Sequence, residues 1–188
     1  MLAYTCGVRR SSRETKALIL AAARERFAAD GYDRTTIRAI AGQAHIDPAM
    51  IIRYFASKED LFLAACAFDV PLPDPAGIPR EKVGATLVEF FLRRWEADAA
   101  LHILLRGATS PLGAERLRSV FAAEIVPLAA TWCDDPVEAA RRAALASTQI
   151  LGLALCRFVA ALPPMADMTH EELVTWVGPT VQRYLVSG

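Results

Sequence analysis

The segment that decides the fold is TTIRAIAGQAHIDPAMIIRYFASKEDLF, residues 35–62. Its pattern predicts two short helices joined by a tight turn and followed by the start of a third helix, which is the layout of a helix-turn-helix. In the first helix, apolar residues recur at spacings of three and four, which gathers them on one face. These residues are Ile37, Ile40, Ala41 and Ala44.

Capping signals indicate where these helices begin. Thr35 or Thr36 stands where a side-chain oxygen would cap the first helix. Asp47 followed by Pro48 predicts the start of the second helix, because Asp caps open amides and proline is tolerated at the first helical position. Ser57, with an acid three residues later, has the form of a capping box for the third helix.

The second helix is expected to have a docked side and an outward side. It would run to about Phe55, with Ile51 and Tyr54 also docked. Its outward residues are then Pro48, Ala49, Ile52 and Arg53.

Residues 19–62 resemble the DNA-binding domain of TetR-family transcriptional regulators. Many matches at fixed spacing make this more specific than a bare helix-turn-helix pattern; the alternative is an ordinary three-helix element of an all-α domain. The matching residues are Ile19, Leu20, Ala22, Ala23, Phe27, Gly31, Tyr32, Thr35, Thr36, Ile40, Ala41, Ala44, Ile46, Tyr54, Phe55, Ser57, Lys58, Glu59 and Leu61.

The resemblance implies a DNA contact surface with two kinds of residue. Carried over position by position, Arg38 would face the bases and could donate a bidentate pair of hydrogen bonds to a guanine. Pro48, Ala49 and Ile52 would also face bases. The remaining residues would lie against phosphates, which fixes the register without reading sequence. They are Thr36, Met50, Arg53, Tyr54 and Lys58.

Four positions depart from the family pattern, and at one of them Asp47 replaces the usual serine, which exchanges one capping residue for another. His45 stands where a turn glycine is usual, so either the turn is not left-handed there or histidine accepts a positive φ. Ala49 replaces a frequent glycine, and Ile52 replaces a tyrosine that often touches DNA. An aliphatic side chain cannot hydrogen-bond a base edge, but it can pack on a thymine methyl group.

Composition restricts the class of protein. The chain has 188 residues, enough for a small domain plus a larger one, and 54% of them are apolar. No run reaches the ~20 uninterrupted apolar residues of a membrane span, and residues 143–161 fit a buried or interfacial helix. No hydrophobic region follows the basic residues near the N-terminus, so we expect a cytoplasmic protein with no membrane partner.

The cysteines and the charges add two expectations. Cys6, Cys66, Cys133 and Cys156 are widely separated, so they predict free thiols and no metal site. The net charge of zero argues against a nucleic-acid binder, but residues 1–62 hold 10 Lys+Arg against 7 Asp+Glu, and the rest of the chain holds 11 against 14. This distribution fits a basic module on an acidic body.

The chain is predicted to be all-α, with about nine helices, because no alternating strand pattern occurs. Residues 1–10 would form a flexible arm, 11–56 the helix-turn-helix domain, and 57–188 a ligand-binding and dimerisation domain. Within the latter, residues 57–69 form a connecting helix and 70–79 a proline-rich linker. Later helices are expected at 81–98, around 102–106, from Ser110 with an interruption at Pro127, from Asp135 to about Leu162, and at 169–186.

Capping signals also mark three helices outside residues 35–62. Ser11 with Glu14 forms a capping box for the first helix, which is expected to run to Asp30 and to end at Gly31. Asp135, followed by a proline, is a cap for the long helix, and Thr169 has the form of a capping box for the last one.

A stripe of small residues predicts a helix–helix interface. Ala140, Ala144, Thr148 and Gly152 recur every four residues, which would let another helix approach closely. With the final helix and its Trp176, this stripe could form a four-helix bundle across a two-fold axis, as TetR-like proteins do. The alternative is that the stripe packs inside the monomer.

A cavity for a small ligand is also expected from the family resemblance. Phe91, Trp95 and Phe121 offer aromatic surface, and polar residues stand among apolar neighbours, as in many small-molecule sites. The polar candidates are His102, Arg106 and Gln149. The alternative is that the aromatic residues are core and the polar ones lie at the surface.

The leading hypothesis is a homodimeric regulator, most simply a repressor that a small apolar effector releases from a palindromic operator, with no cofactor. An enzyme is a second class, but His45, His102 and His170 lie far apart in the sequence and outside any nucleophile or metal motif. A third class is a small-molecule-binding or scaffold protein of the same fold that has lost DNA binding. The unusual Ile52 and His45 and the neutral charge favour that third class.

Overall fold

The computed structural model describes residues 11–67 and 72–186, and this part of the chain is all-α, with no β-strand. The chain divides into two compact units, Met1–Cys66 and Ala67–Gly188. The predicted N-terminal arm and the first residues of the proline-rich linker lie outside the described residues.

The first unit contains four helices. These are α1 (Ser12–Arg34), α2 (Ile37–Ala44), α3 (Pro48–Phe55) and α4 (Lys58–Ala65). Ser11 and Glu14 form the predicted capping box, and Gly31 interrupts α1 with φ 75° and ψ 176°, where we expected the helix to end.

α4 belongs to the first unit, whereas we had placed residues 57–69 with the second domain. The helix ends at Ala65, and it is held by burial of Leu61, Phe62 and Ala65. The Phe62 ring packs edge-on against Phe27 of α1, with 5.2 Å between ring centroids. These apolar contacts make α4 part of the small core.

The second unit contains the remaining helices. They are α5 (Val83–Ala97), α6 (Ala99–Gly107), α7 (Pro111–Val120), α8 (Val126–Ala130), α9 (Pro136–Ala154) and α10 (His170–Val186). Two 3₁₀ turns, Pro75–Gly77 and Arg80–Lys82, precede α5. Asp135 and Thr169 cap α9 and α10 through hydrogen bonds to backbone amides, as their sequence signals predicted.

The chain does not break at Pro127, where we expected an interruption. A π-helical turn, Phe121–Ile125, lies just before α8, and the Val126 amide donates to the Phe121 carbonyl. Proline has no amide to donate, and the extra residue of a π-turn lets the helix continue past it. α7 and α8 therefore form one continuous helical rod, which makes nine rods in the described ranges. A second π-turn, Leu155–Val159, extends α9.

α5 and α10 pack closely enough to exclude a side chain between them. A Cβ built on Gly84 would lie 2.2 Å from the Gly178 carbonyl oxygen and 2.5 Å from the Gln182 amide nitrogen. The Gly84 amide donates to Gln182 Oε1 at 2.7 Å, and Gln182 Nε2 donates to the Arg80 carbonyl at 2.7 Å. Val83, Leu87 and Val88 of α5 are buried beside this crossing.

We predict that Gly84→Ala destabilises the second unit by about 1–3 kcal/mol, because the added methyl group meets backbone atoms that cannot rotate away. Gly77→Ala is the matched control, since a Cβ at Gly77 meets nothing within 4 Å. Thermal unfolding followed by circular dichroism measures both. Equal midpoints for the two variants would contradict the close crossing of α5 and α10.

Candidate nucleic-acid interface and ligand cavity

The turn between α2 and α3 is fixed by backbone geometry and by a cap. His45 ends α2 in the left-handed region, with φ 53° and ψ 49°, so histidine accepts the conformation for which glycine is usual. The Ile46 amide donates to the Ala41 carbonyl at 3.0 Å. Asp47 Oδ1 accepts a hydrogen bond from the Ala49 amide at 2.8 Å, which caps α3 directly after the turn.

Polar contacts attach α2 to α1. Arg26 Nε donates to Gln43 Oε1 at 2.6 Å, and Gln43 Nε2 donates to a Glu25 carboxylate oxygen. Buried Thr35 donates its hydroxyl hydrogen bond to the Gly31 carbonyl at 2.7 Å, while Thr36 caps α2. Apart from Thr36, the side chains that make these contacts are ones that the family resemblance did not mark as functional.

α3 has one buried side and one exposed side. Ile51 and Phe55 are buried in the core of the first unit. The exposed residues are Pro48, Ala49, Ile52 and Arg53. Met50 and Tyr54 are half-buried. The structure thus places Pro48, Ala49, Ile52 and Arg53 on one exposed face of α3, as the sequence pattern predicted for its outward side.

Two arginines of the helix-turn-helix are exposed, one on α2 and one on α3. Arg38 on α2 and Arg53 on α3 form no ion pair within the described residues, in contrast to Arg26, which lies 3.6 Å from Asp30. A guanidinium without a carboxylate partner has its N–H donors available for an outside anion.

Lys58 is held at the start of α4 by a contact that sequence reasoning missed. Its ammonium lies 4.3 Å from the centroid of the Tyr32 ring, and the Tyr32 hydroxyl donates to Glu59 Oε1 at 2.8 Å. Burial and then this hydrogen bond to Glu59 raise the pKa of Tyr32 to about 12. The phenol therefore stays protonated, and the hydrogen bond that orients the ring persists, at neutral pH.

The second unit contains a cavity of about 400 Å³, within the range of small-molecule sites. Its walls come from α5 to α10 and the first π-turn, and aliphatic side chains dominate them. The predicted Phe91, Trp95 and Phe121 lie on the wall. Prominent among the residues that we did not single out are Leu87, Leu104, Leu105, Leu117, Ile125 and Leu151.

The three polar ligand candidates lie elsewhere. The His102 ring packs edge-on against Trp95 and Phe158, with centroid distances of 6.2 and 5.5 Å. Arg106 is exposed at the end of α6, and Gln149 Nε2 donates to Thr148 Oγ1 at 3.4 Å. Three charged side chains lie on the wall: Arg94 is 3.0 Å from Asp98, Arg118 is 2.6 Å from Glu115, and Glu124 is exposed to water. The cavity is therefore suited to an uncharged molecule.

The small-residue stripe of α9 is not covered by the second unit itself. Ala144 and Thr148 are exposed, and Ala140 and Gly152 are half-buried. Trp176 on α10 is 75% exposed. Ala144 and Thr148 also line the cavity, so one helix contributes to both features.

The helix Pro136–Val159 is long and apolar enough, judged by length and composition alone, to span a membrane. The same helix carries Arg141 and Arg142 near its start, and helices of soluble bundles share such a composition.

Among the described residues, no group of three or more His, Cys, Asp or Glu is placed to hold a metal ion. Cys66, Cys133 and Cys156 are free thiols.

Two short helices joined by a tight turn, with the second helix exposed on one side, have the geometry of a helix-turn-helix domain. Residues 19–65 match the family model of bacterial regulatory proteins of the tetR family, and residues 81–185 match the tetracyclin repressor-like C-terminal domain. The chain belongs to the TetR family of transcriptional regulators.

Two solved structures are similar to this chain. A TetR-family regulator from Streptomyces coelicolor A3 shares 27% identity over 95% of this chain and 99% of its own, with a TM-score of 0.57. A TetR-like transcriptional regulator from Rhodococcus sp. RHA1 shares 18% identity over 96% of this chain and 100% of its own, with a TM-score of 0.67. No curated protein matches the sequence.

Proposed function

We propose that the protein is a cytoplasmic repressor that binds a palindromic operator as a homodimer and leaves it when a small apolar molecule fills the cavity. The observation that carries the DNA-binding part is the exposed face of α3, which includes Arg53, together with the exposed Arg38 on the preceding helix α2.

On the operator, the proposed contacts fall into two groups. Arg38 donates a bidentate pair of hydrogen bonds to a guanine, and Pro48, Ala49 and Ile52 lie against base edges in the major groove. The other group grips phosphates and sets the register of the protein on the duplex. It comprises Thr36, Met50, Arg53, Tyr54 and Lys58.

The proposed effector is uncharged and mostly apolar. The wall is aliphatic and aromatic, and its arginines Arg94 and Arg118 are neutralised by Asp98 and Glu115. An anion would lose its hydration without gaining a counter-charge, which costs free energy. A cation would find only Glu124, which is exposed, so that water screens the attraction. Phe91, Trp95 and Phe121 give flat surfaces for an aromatic or alicyclic molecule.

The proposed dimer uses α9 and α10 of each protomer in a four-helix bundle. The supporting observations are the exposed stripe residues Ala144 and Thr148 and the exposed indole of Trp176, with Gly152 of the stripe half-buried. The dimer spaces two α3 helices by ~34–36 Å, one turn of the DNA helix, or by a multiple of it.

The proposed release from the operator by the effector depends on two residues that belong both to the α9 stripe and to the cavity wall. Ala144 and Thr148 belong both to the stripe and to the cavity wall, so a bound effector touches the helix on which the dimer depends. In this mechanism the effector shifts the spacing of the two DNA-binding units away from the operator spacing. By linkage, effector and operator weaken each other's binding by the same factor.

A second candidate is a ligand-binding or scaffold protein of the same fold that does not bind DNA. The apolar outer face of α3 favours it, because Pro48, Ala49 and Ile52 offer no hydrogen-bonding side chain to a base. Salt-insensitive binding, or no binding, to DNA fragments from the upstream region of its own gene would support this candidate over the repressor.

For the DNA contacts, Arg53→Ala should weaken binding to all sequences by a similar factor and flatten the salt dependence, because it removes a phosphate contact. Arg38→Ala should cost about 1–3 kcal/mol per guanine and relax the preference at that position. Gel-shift titrations at several salt concentrations measure both effects. Arg93→Ala is the control, since Arg93 is exposed on α5 and paired with Glu89; equal losses in all three variants would contradict these roles.

For the cavity, a library of uncharged apolar compounds should contain molecules that raise the thermal midpoint of unfolding. A ligand present at 100 times its dissociation constant should stabilise the folded protein by about 2.7 kcal/mol. Leu117→Trp fills the cavity and should abolish the shift, whereas Leu112→Trp on the same helix, outside the lining, should keep it. Hits that stabilise both variants equally would show that they bind elsewhere.

For the dimer, Trp176→Arg should raise the dissociation constant at least about a hundredfold, because two-fold symmetry loses the buried indole of both protomers. Sedimentation equilibrium measures the change. Ser119→Arg, at an exposed position of α7, adds the same charge away from the stripe and should leave the dimer intact. A wild-type monomer, or a dimer unaffected by Trp176→Arg, would rule out this interface.

A further inference from the structure

Ile52 is the large apolar residue on the outer face of α3, and 46% of its surface is exposed. Its outward neighbours Pro48 and Ala49 are also apolar. Ile52 is not one of the buried core residues of the first unit, and it lies on the face that the proposed function turns toward DNA.

The rotation of α3 is set by its buried side. Ile51 is fully buried and Phe55 nearly so, and both belong to the same short helix as Ile52. Because successive residues on a helix are about 100° apart, burial of Ile51 and Phe55 directs Ile52 outward. An isoleucine in a helix also holds one strongly preferred χ1 rotamer, so its methyl groups are positioned before any partner arrives.

Major-groove chemistry offers one match for such a side chain. Among the four bases, only thymine presents a methyl group there, whereas cytosine presents an amino donor at its groove edge. Packing isoleucine on the thymine methyl buries apolar surface on both partners. Packing it on cytosine would leave a polar amino group without its water, which is unfavourable.

We propose that Ile52 is a specificity-determining residue that recognises the 5-methyl group of one thymine in each operator half-site. This rests on the proposed function, since it assumes that α3 enters the major groove. It goes further, because it names the chemical group that is read and the side chain that reads it.

The test removes that methyl group and nothing else. An operator is first selected with the full-length protein from genomic fragments, and each of its thymines is then replaced in turn by deoxyuridine. We expect one symmetry-related pair of positions at which replacement weakens wild-type binding roughly fourfold per methyl group, hence about sixteenfold for both half-sites.

A double-mutant cycle assigns the loss to Ile52. In Ile52→Ala, replacement at that pair should cost nothing further, because the partner of the methyl group is already absent. Leu63→Ala is the matched control: Leu63 is an exposed aliphatic residue of the same unit, on α4, and this variant should discriminate between thymine and uracil as wild type does. Circular dichroism checks that both variants keep their helices.

The possible outcomes distinguish failure of the Ile52 assignment from failure of the proposed repressor function. If the operator binds tightly but no thymine is sensitive to replacement, or if the sensitivity persists in Ile52→Ala, the assignment to Ile52 is wrong while the repressor proposal stands. If no genomic fragment is bound at any salt concentration, the proposed function fails and the assignment fails with it.

Discussion

The burial of Ile51 and Phe55 is the constraint on which the DNA-facing surface depends. These side chains fix α3 against the small core that includes Phe27 and Phe62. Because an α-helix is rigid, docking one side determines where the opposite side points. Ile52 and the other outward residues of α3 are thus oriented by residues that do not contact DNA themselves.

The second unit combines close packing with an unfilled space. Gly84 lets α5 and α10 approach until no side chain fits between them, whereas the helices around Phe91, Trp95 and Phe121 leave about 400 Å³ open. Protein interiors are normally packed to the density of organic crystals, so a cavity of this size costs dispersion energy. A ligand that fills it would recover that energy, which fits an effector site.

Much of the fold could be predicted because its signals are local. Ser11, Asp47, Asp135 and Thr169 cap the helices that their sequence contexts indicated. The predictions failed at two places. The sequence signal at Pro127 indicated a break, but the π-turn before it keeps the helix continuous. The domain boundary was expected before α4, whose apolar residues instead pack into the first unit.

The sequence by itself determined the family, the all-α class, the helix-turn-helix and the residues that point away from its core, because periodicity, caps and turn residues act within a few positions of each other. Only the tertiary structure decided which residues surround the cavity. His102, Arg106 and Gln149 lie off its wall, and a lining leucine looks the same in sequence as a core leucine. It also decided that Lys58 lies on the Tyr32 ring, since that contact joins residues far apart in the chain. Such contacts depend on how helices pack, and that is set by the sum of many weak apolar interactions across the whole unit.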